Sequence, residues 1–218
     1  MAKNVSADQL HLMQQNLKNL LATYKTLLQE GLHADVLIQT QNDVTPAHRC
    51  VLASASRVLR EQFNTKENLE INVLNLKLDE IVTTKALKAF LCLIYSGRFD
   101  VEGMTWEPLL EVLAACHKYE LPFSMKQTCV SFLQEMITSE SCLRILEYAD
   151  TYDIELMKRC KRFVGKNFKN VVLSEGFEEL ANRRPELLVD LVRKKMERSA
   201  PKKFLFHLLM LFMAALRK

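Results

Sequence analysis

"DVLIQTQNDVTPAHRCVLASASRVLREQF" (Asp35 to Phe63) changes its periodicity partway through, and the change marks the fold. "DVLIQT" has a β-branched, apolar middle, and "QND" supplies turn residues. "VTPAH" resumes an extended run in which Pro46 forbids a fully paired central position. Together they predict a β-hairpin. From Arg49 onward Val51, Leu52, Ala55, Val58, Leu59 and Phe63 follow three-and-four spacing, with Ser54 or Ser56 able to cap a second helix. His48 sits at the junction, where a catalyst, a metal ligand and a structural histidine would look alike. No His–Cys or His–acid partner elsewhere suggests a triad. His48 is therefore expected to hydrogen-bond within the fold.

Upstream, Ser6 and Gln9 form a capping-box pattern, with Asp8 near the positive helix end. Leu10, Met13, Leu17, Leu20, Tyr24 and Leu27 then recur at steps of three and four, one apolar seam on a helix of about six turns stopped by Gly31. Such a seam must be covered, by the chain's own core or by a partner subunit. Downstream, "LEINVLNLKL" (Leu69 to Leu78) predicts a third extended element with Ile71, Val73, Leu76 and Leu78 inward. A helix over Thr84 to Tyr95 follows, stopped at Ser96–Gly97. Helix, hairpin, two short helices, strand, helix is an α+β order, and no G-x-G-x-x-G or P-loop interrupts it.

The remainder is helical and repeats. "LEVLAACHKYELPF" (Leu110 to Phe123) overlays "LRILEYADTYDIEL" (Leu143 to Leu156) at an offset of 33. Two copies are too few for a solenoid, so they predict helical hairpins stacked on the α+β unit.

Composition narrows the function. With 49% apolar and 26% charged residues, the 218-residue chain is ordinary globular protein. Its net charge of +4 is concentrated late: eight Lys and Arg from Arg193 to Lys218 face the single acid Glu197, leaving residues 1–190 mildly acidic. The body offers no nucleic-acid footprint. Six cysteines, at 50, 92, 116, 129, 142 and 160, never fall closer than 13 apart, so no C-x-x-C pair exists and buried, reduced thiols are expected. That predicts a cytoplasmic or nuclear protein, as does an N-terminal stretch without the apolar core of a secretory signal. Cys116 and His117 project about 100° apart on one helix, and Asp150, Asp153 and Glu155 suit solvated helix-end charge. No nucleophile–base pair, metal set or phosphate loop appears, so neither enzyme activity nor a cofactor is expected. Phe204 to Leu216 is too short to span a bilayer, which takes about 20 apolar residues. It is expected to dock on the helical bundle or a partner, with an interfacial membrane helix as the alternative.

Several blocks together resemble the BTB/POZ family: "DVLIQT…AHRCVLASAS", "AFLCLIYSGRF" (Ala89 to Phe99) and "LLEVLAACHKYELP" (Leu109 to Pro122). Ser139 to Met196 is similar to the 3-box or BACK extension of cullin-3 adaptors, through "ILEYADTYDIELMKRC" and "FEEL…PELLVDLVRKKM". The whole is most like the short plant-type members. The resemblance implies an N-terminal dimerisation helix over 1–31, a BTB/POZ domain over 32–136, a BACK-like extension over 137–198 and a basic-apolar tail over 199–218. It implies a dimeric, substrate-specific adaptor that joins an unknown protein to a cullin-3 RING ubiquitin ligase, or a module that pairs with other BTB proteins without cullin. The dimer interface would be Leu10, Met13, Leu17, Leu20 and Tyr24, with the charged pair Asp35 and Arg49 close by. Adaptors carry an apolar-x-Glu step after the Phe matching Phe63. Here Thr65 precedes Glu67 and Asn68 precedes Glu70, and Leu78-Asp79-Glu80 falls too late. The cullin-binding face would then rest on Phe63, Leu69, Tyr119, Leu121 and Phe123.

Overall fold

A computed structural model describes residues 6–99 and 103–199, the side chains only to Lys195 at the C-terminal end. The chain divides between Glu135 and Met136 into two compact units.

The first unit opens with α1 (Ala7–Glu30). Its capping box forms as expected: the Gln9 backbone N–H donates to Ser6 Oγ, and the Ser6 backbone N–H donates to Gln9 Oε1. Gly31 ends the helix at φ 61°, where a Cβ would also meet the Pro46 ring at 3.0 Å. The predicted hairpin is β1 (Val36–Gln39) and β2 (Val44–Ala47), antiparallel with Leu37 opposite Pro46. Pro46 is tolerated because β2 is an edge strand, with β1 on its inner side. After β2 come α2 (Arg49–Ala55), α3 (Arg57–Phe63) and the one-turn α4 (Lys66–Leu69). Ser56, not Ser54, caps α3, accepting from the Leu59 N–H.

β3 (Leu74–Lys77) returns parallel to β1, with Val36 opposite Leu74. Here one expectation fails. Leu74, Leu76 and Leu78 are buried, whereas Ile71 and Val73 are exposed. Thr65 caps α4, and the turn of helix consumes the first residues of the apparent strand. The true strand therefore starts later and in the opposite phase.

α5 (Thr84–Ser96) is the core helix, with Leu87, Phe90, Leu91 and Leu93 essentially inaccessible, and it ends at Gly97 with φ 68°. α6 (Trp106–Lys118) and α7 (Phe123–Glu135) form the first helical hairpin against it.

The second unit holds α8 (Cys142–Tyr152), α9 (Ile154–Val172), α10 (Glu175–Arg183) and α11 (Pro185–Ser199). Asp153 is the cap of α9 rather than loose charge: it accepts the Leu156 N–H at 2.9 Å. Asp150 pairs with Arg184 and Glu155 with Lys158. α9 breaks at Asn167, which has non-helical backbone and whose side-chain amide donates to the Phe163 carbonyl.

All six cysteines are free, but Cys50 is exposed on α2, against expectation, and Cys92 is half-buried. Cys50 occupies the solvent side of a two-turn helix whose inward residue is Leu52. The tail from Phe204 to Leu216 lies outside the described residues.

Candidate functional site

The strand-to-helix junction is a closed polar network. His48 is 5% exposed. Its Nε2 lies 2.7 Å from the Leu32 carbonyl, which can only accept, so Nε2 carries the proton. Nδ1 is then an acceptor and takes the Tyr95 O–H at 2.8 Å. The same Tyr95 oxygen accepts the His48 backbone N–H at 2.9 Å. Burial pushes the Tyr95 phenol well above its ordinary pKa. His48 has both ring nitrogens engaged and nothing left to offer a substrate.

Arg49 next to it organises backbone. Its N–H caps onto Asp35 Oδ1 at 2.8 Å, and its Nε–H donates to the Asp35 carbonyl at 3.0 Å. The guanidinium fork reaches on to the carbonyls of Asn68, Ile71 and Asn72. The charge-to-charge approach to Asp35 Oδ2 is only 3.8 Å, with Asp35 44% exposed. The pair is thus a partly solvated contact, and Arg49 stabilises chiefly by pinning the segment between α4 and β3.

The expected dimer seam is laid out on α1. No α1 residue is buried. Leu10, Met13, Leu17, Leu20 and Tyr24 are between 37% and 61% exposed. Leu21 and Leu28, on the side where α1 packs on α5, are half-covered, as is Leu27 at the C-terminal end of the seam.

The five residues expected at the cullin face separate. Phe63, Tyr119 and Leu121 are buried at 4%, 4% and 7% exposure, so their side chains belong to the core. Leu69 and Phe123 stand out at 64% and 74%. The turn that presents Phe123 is tied by hydrogen bonds to the start of α3. Glu120 has φ 49°, an uncommon state for a residue with a side chain. Arg57 holds it with a bidentate fork, Nε donating to Oε2 at 3.1 Å and Nη2 to Oε1 at 3.0 Å, and Ser56 Oγ donates to the Tyr119 carbonyl at 2.6 Å. Ser56, Arg57 and Glu120 were not foreseen as parts of this site. Arg57 and Glu120 are 63 residues apart, and only the left-handed turn before Leu121-Pro122 hints at their role. The apolar-x-Glu step at Leu78 is tied down: Leu78 is buried, while Asp79 and Glu80 both pair with Lys118 at 2.8 and 3.1 Å. Cys116 is buried and its thiol is pushed up to about 12, while the adjacent His117 is exposed.

Among the described residues no group of three or more His, Cys, Asp or Glu is arranged to hold a metal, and no helix is long and apolar enough to cross a membrane. The arrangement offers apolar and polar surfaces for contact with other proteins.

The comparisons with known proteins fit this geometry. The family described as BTB/POZ domain matches residues 24–137, and that described as BTB And C-terminal Kelch matches residues 142–214. Kelch-like protein 24 of Homo sapiens is 26% identical over 164 residues, covering 75% of this chain and 26% of that protein. Kelch-like protein 38 of Danio rerio is 30% identical over 172 residues, covering 78% of this chain and 28% of its own. A BTB/POZ domain-containing protein of Arabidopsis thaliana is 24% identical over 176 residues, with 79% and 61% covered. The chain spans about a quarter of the length of the Kelch-like relatives it matches.

Proposed function

The chain belongs to the BTB/POZ family, with a BACK region behind its BTB domain, and on that premise we propose that it is a dimeric, non-enzymatic adaptor of a cullin-3 ubiquitin ligase. Two copies would join through the α1 seams, each unit presenting its α6–α7 turn to cullin-3 and leaving the BACK region to hold a substrate protein. The observation that carries this reading is the exposed Phe123 beside a turn fixed by Arg57 and Ser56. A preformed apolar anchor binds without the entropy cost of ordering its mount. On this reading Phe63, Tyr119 and Leu121 support the face from beneath, and Leu69 and Phe123 touch the partner. The BTB–BACK organisation and the Kelch-like relatives support the class of adaptor; its activity would be exercised in the cytoplasm or nucleus.

A second reading has its own support. Where adaptors place an apolar residue before Glu, this chain uses Thr65 as the α4 cap and Asn68 to donate to the Gln62 carbonyl. A module that pairs with other BTB proteins and ignores cullin would need no such step. Titrating the cullin-3 N-terminal domain onto the purified chain, followed by light scattering, separates the two. The adaptor gives a complex with one cullin per chain, and Phe123→Ala weakens it without altering the mass of the free protein. Absence of binding at tens of micromolar leaves the pairing module.

A further inference from the structure

We infer that the cleft between α9 and α11 is a docking site for a short acidic peptide with an apolar centre, which rests on the adaptor reading and names its class of substrate segment. Lys158, Lys161, Arg162, Gly165 and Phe168 recur at helical spacing along one face of α9, and Leu191, Lys194 and Lys195 do so on α11. Between them lies a cavity of about 310 Å³.

Its floor and rim ask for different chemistry. Val164 and Leu191 are buried, Phe168 is half-buried, and Gly165 adds no side chain, so the floor is apolar. The rim is cationic. Asp190 is shared by Lys161 at 3.0 Å and Lys194 at 3.1 Å, and Glu155 takes Lys158 at 2.7 Å. Lys195 donates to the Gly165 carbonyl at 3.0 Å and lies 5.9 Å from the centre of the Phe168 ring. Arg162 is exposed and has no ion pair among the described residues. Five cations thus share two carboxylates, and the surplus positive potential favours an anionic visitor.

A bare phosphate would answer the rim and leave the floor wet. A peptide answers both, burying an apolar side chain over Phe168 and Leu191 while its carboxylates meet Arg162, Lys194 and Lys195. From Lys158 to Phe168 the face runs about 15 Å along the helix, room for about five extended residues.

The test uses the full chain and a dye-labelled peptide, Glu-Asp-Leu-Phe-Asp-Glu, followed by fluorescence anisotropy. Binding is expected in the micromolar range. It should weaken at least tenfold in Lys158→Glu/Arg162→Glu, at least fivefold when Leu-Phe becomes Ser-Ser, and progressively as salt rises through about 0.15 M. Arg162→Gln, a change at an exposed position, should weaken binding severalfold and serves if the double variant misfolds. No binding, equal binding by the charge-reversed protein, or displacement by inorganic polyphosphate as readily as by unlabelled peptide overturns the site. Cullin-3 titration of the same samples separates the two readings. Peptide bound without cullin leaves the site standing and removes the adaptor, whereas cullin bound without peptide does the reverse.

Discussion

α1 and α5 pack against each other, both are rich in leucine, and they have opposite fates. α5 buries nine of its 13 residues, while α1 buries none of its 24. On α5 apolar residues surround the axis, because α1, α2 and α6 close on it from several sides. On α1 they form one seam that a single chain leaves in water. Three-and-four periodicity reports that a helix has an apolar stripe, and says nothing of what covers it. Each half-exposed leucine leaves on the order of 1 kcal/mol of burial unrealised. A second chain can supply the cover, which is why α1 is assigned to assembly and α5 to folding.

The comparison breaks most violently at the seam. Leu17→Asp/Leu20→Asp should convert the proposed dimer to monomer, or to insoluble protein, as read by gel filtration; a soluble dimer would refute the seam. The corresponding blow to α5 is thermodynamic. Phe90→Ala, at a fully buried site, should cost about 3–5 kcal/mol in urea unfolding. A loss below 1 kcal/mol would mean that α5 is not the core helix.

Tyr95→Phe removes the hydroxyl that serves both the backbone and the ring of His48. It should cost about 1–3 kcal/mol, and an unchanged melting curve would contradict the closed network. Arg49→Ala should fall in the same range, since three carbonyls, one in α4 and two between α4 and β3, lose a charged donor. Asp35→Ala should cost less, about 1 kcal/mol, because its remaining contribution is a solvated helix cap. That is smaller than the 3–5 kcal/mol that a buried pair would forfeit.

Much of this was legible locally. The capping box at Ser6, the stops at Gly31 and Gly97, the hairpin around Asn42-Asp43 and the two helical hairpins each rest on signals a few residues long. What escaped was decided at a distance or by competition. The Thr65 cap converted the front of an apparent strand into α4, so Ile71 and Val73 lost the inward face to Leu74 and Leu76. The fork from Arg57 to Glu120 joins separate elements and leaves no periodic trace. The family resemblance located Phe63, Tyr119 and Leu121, but only packing shows that their side chains point into the core.

Cysteine chemistry offers a gentler contrast. Burial pushes the thiols of Cys116, Cys142 and Cys160 up to about 12. Folded protein at pH 8 should therefore alkylate rapidly at Cys50, with the buried thiols silent, by mass spectrometry. Above about pH 9 the unfolded chain releases thiol protons that the folded chain keeps, so stability falls as pH rises towards 12 and is fully present below 9. An unfolding midpoint in urea that does not drop between pH 8 and 10.5 would contradict this. Smallest of all, Leu12→Ala should leave both fold and dimer unchanged. Leu12 is exposed on α1 but lies about 60° or more around the helix from every seam residue.

The most direct test of the central claim is the mass of the full chain in solution, by light scattering behind gel filtration. Covering of α1 by a second copy predicts twice the chain mass of 25.2 kDa, persisting at low micromolar concentration. A stable, soluble particle of single-chain mass would contradict it and return the seam of α1 to the chain's own surface.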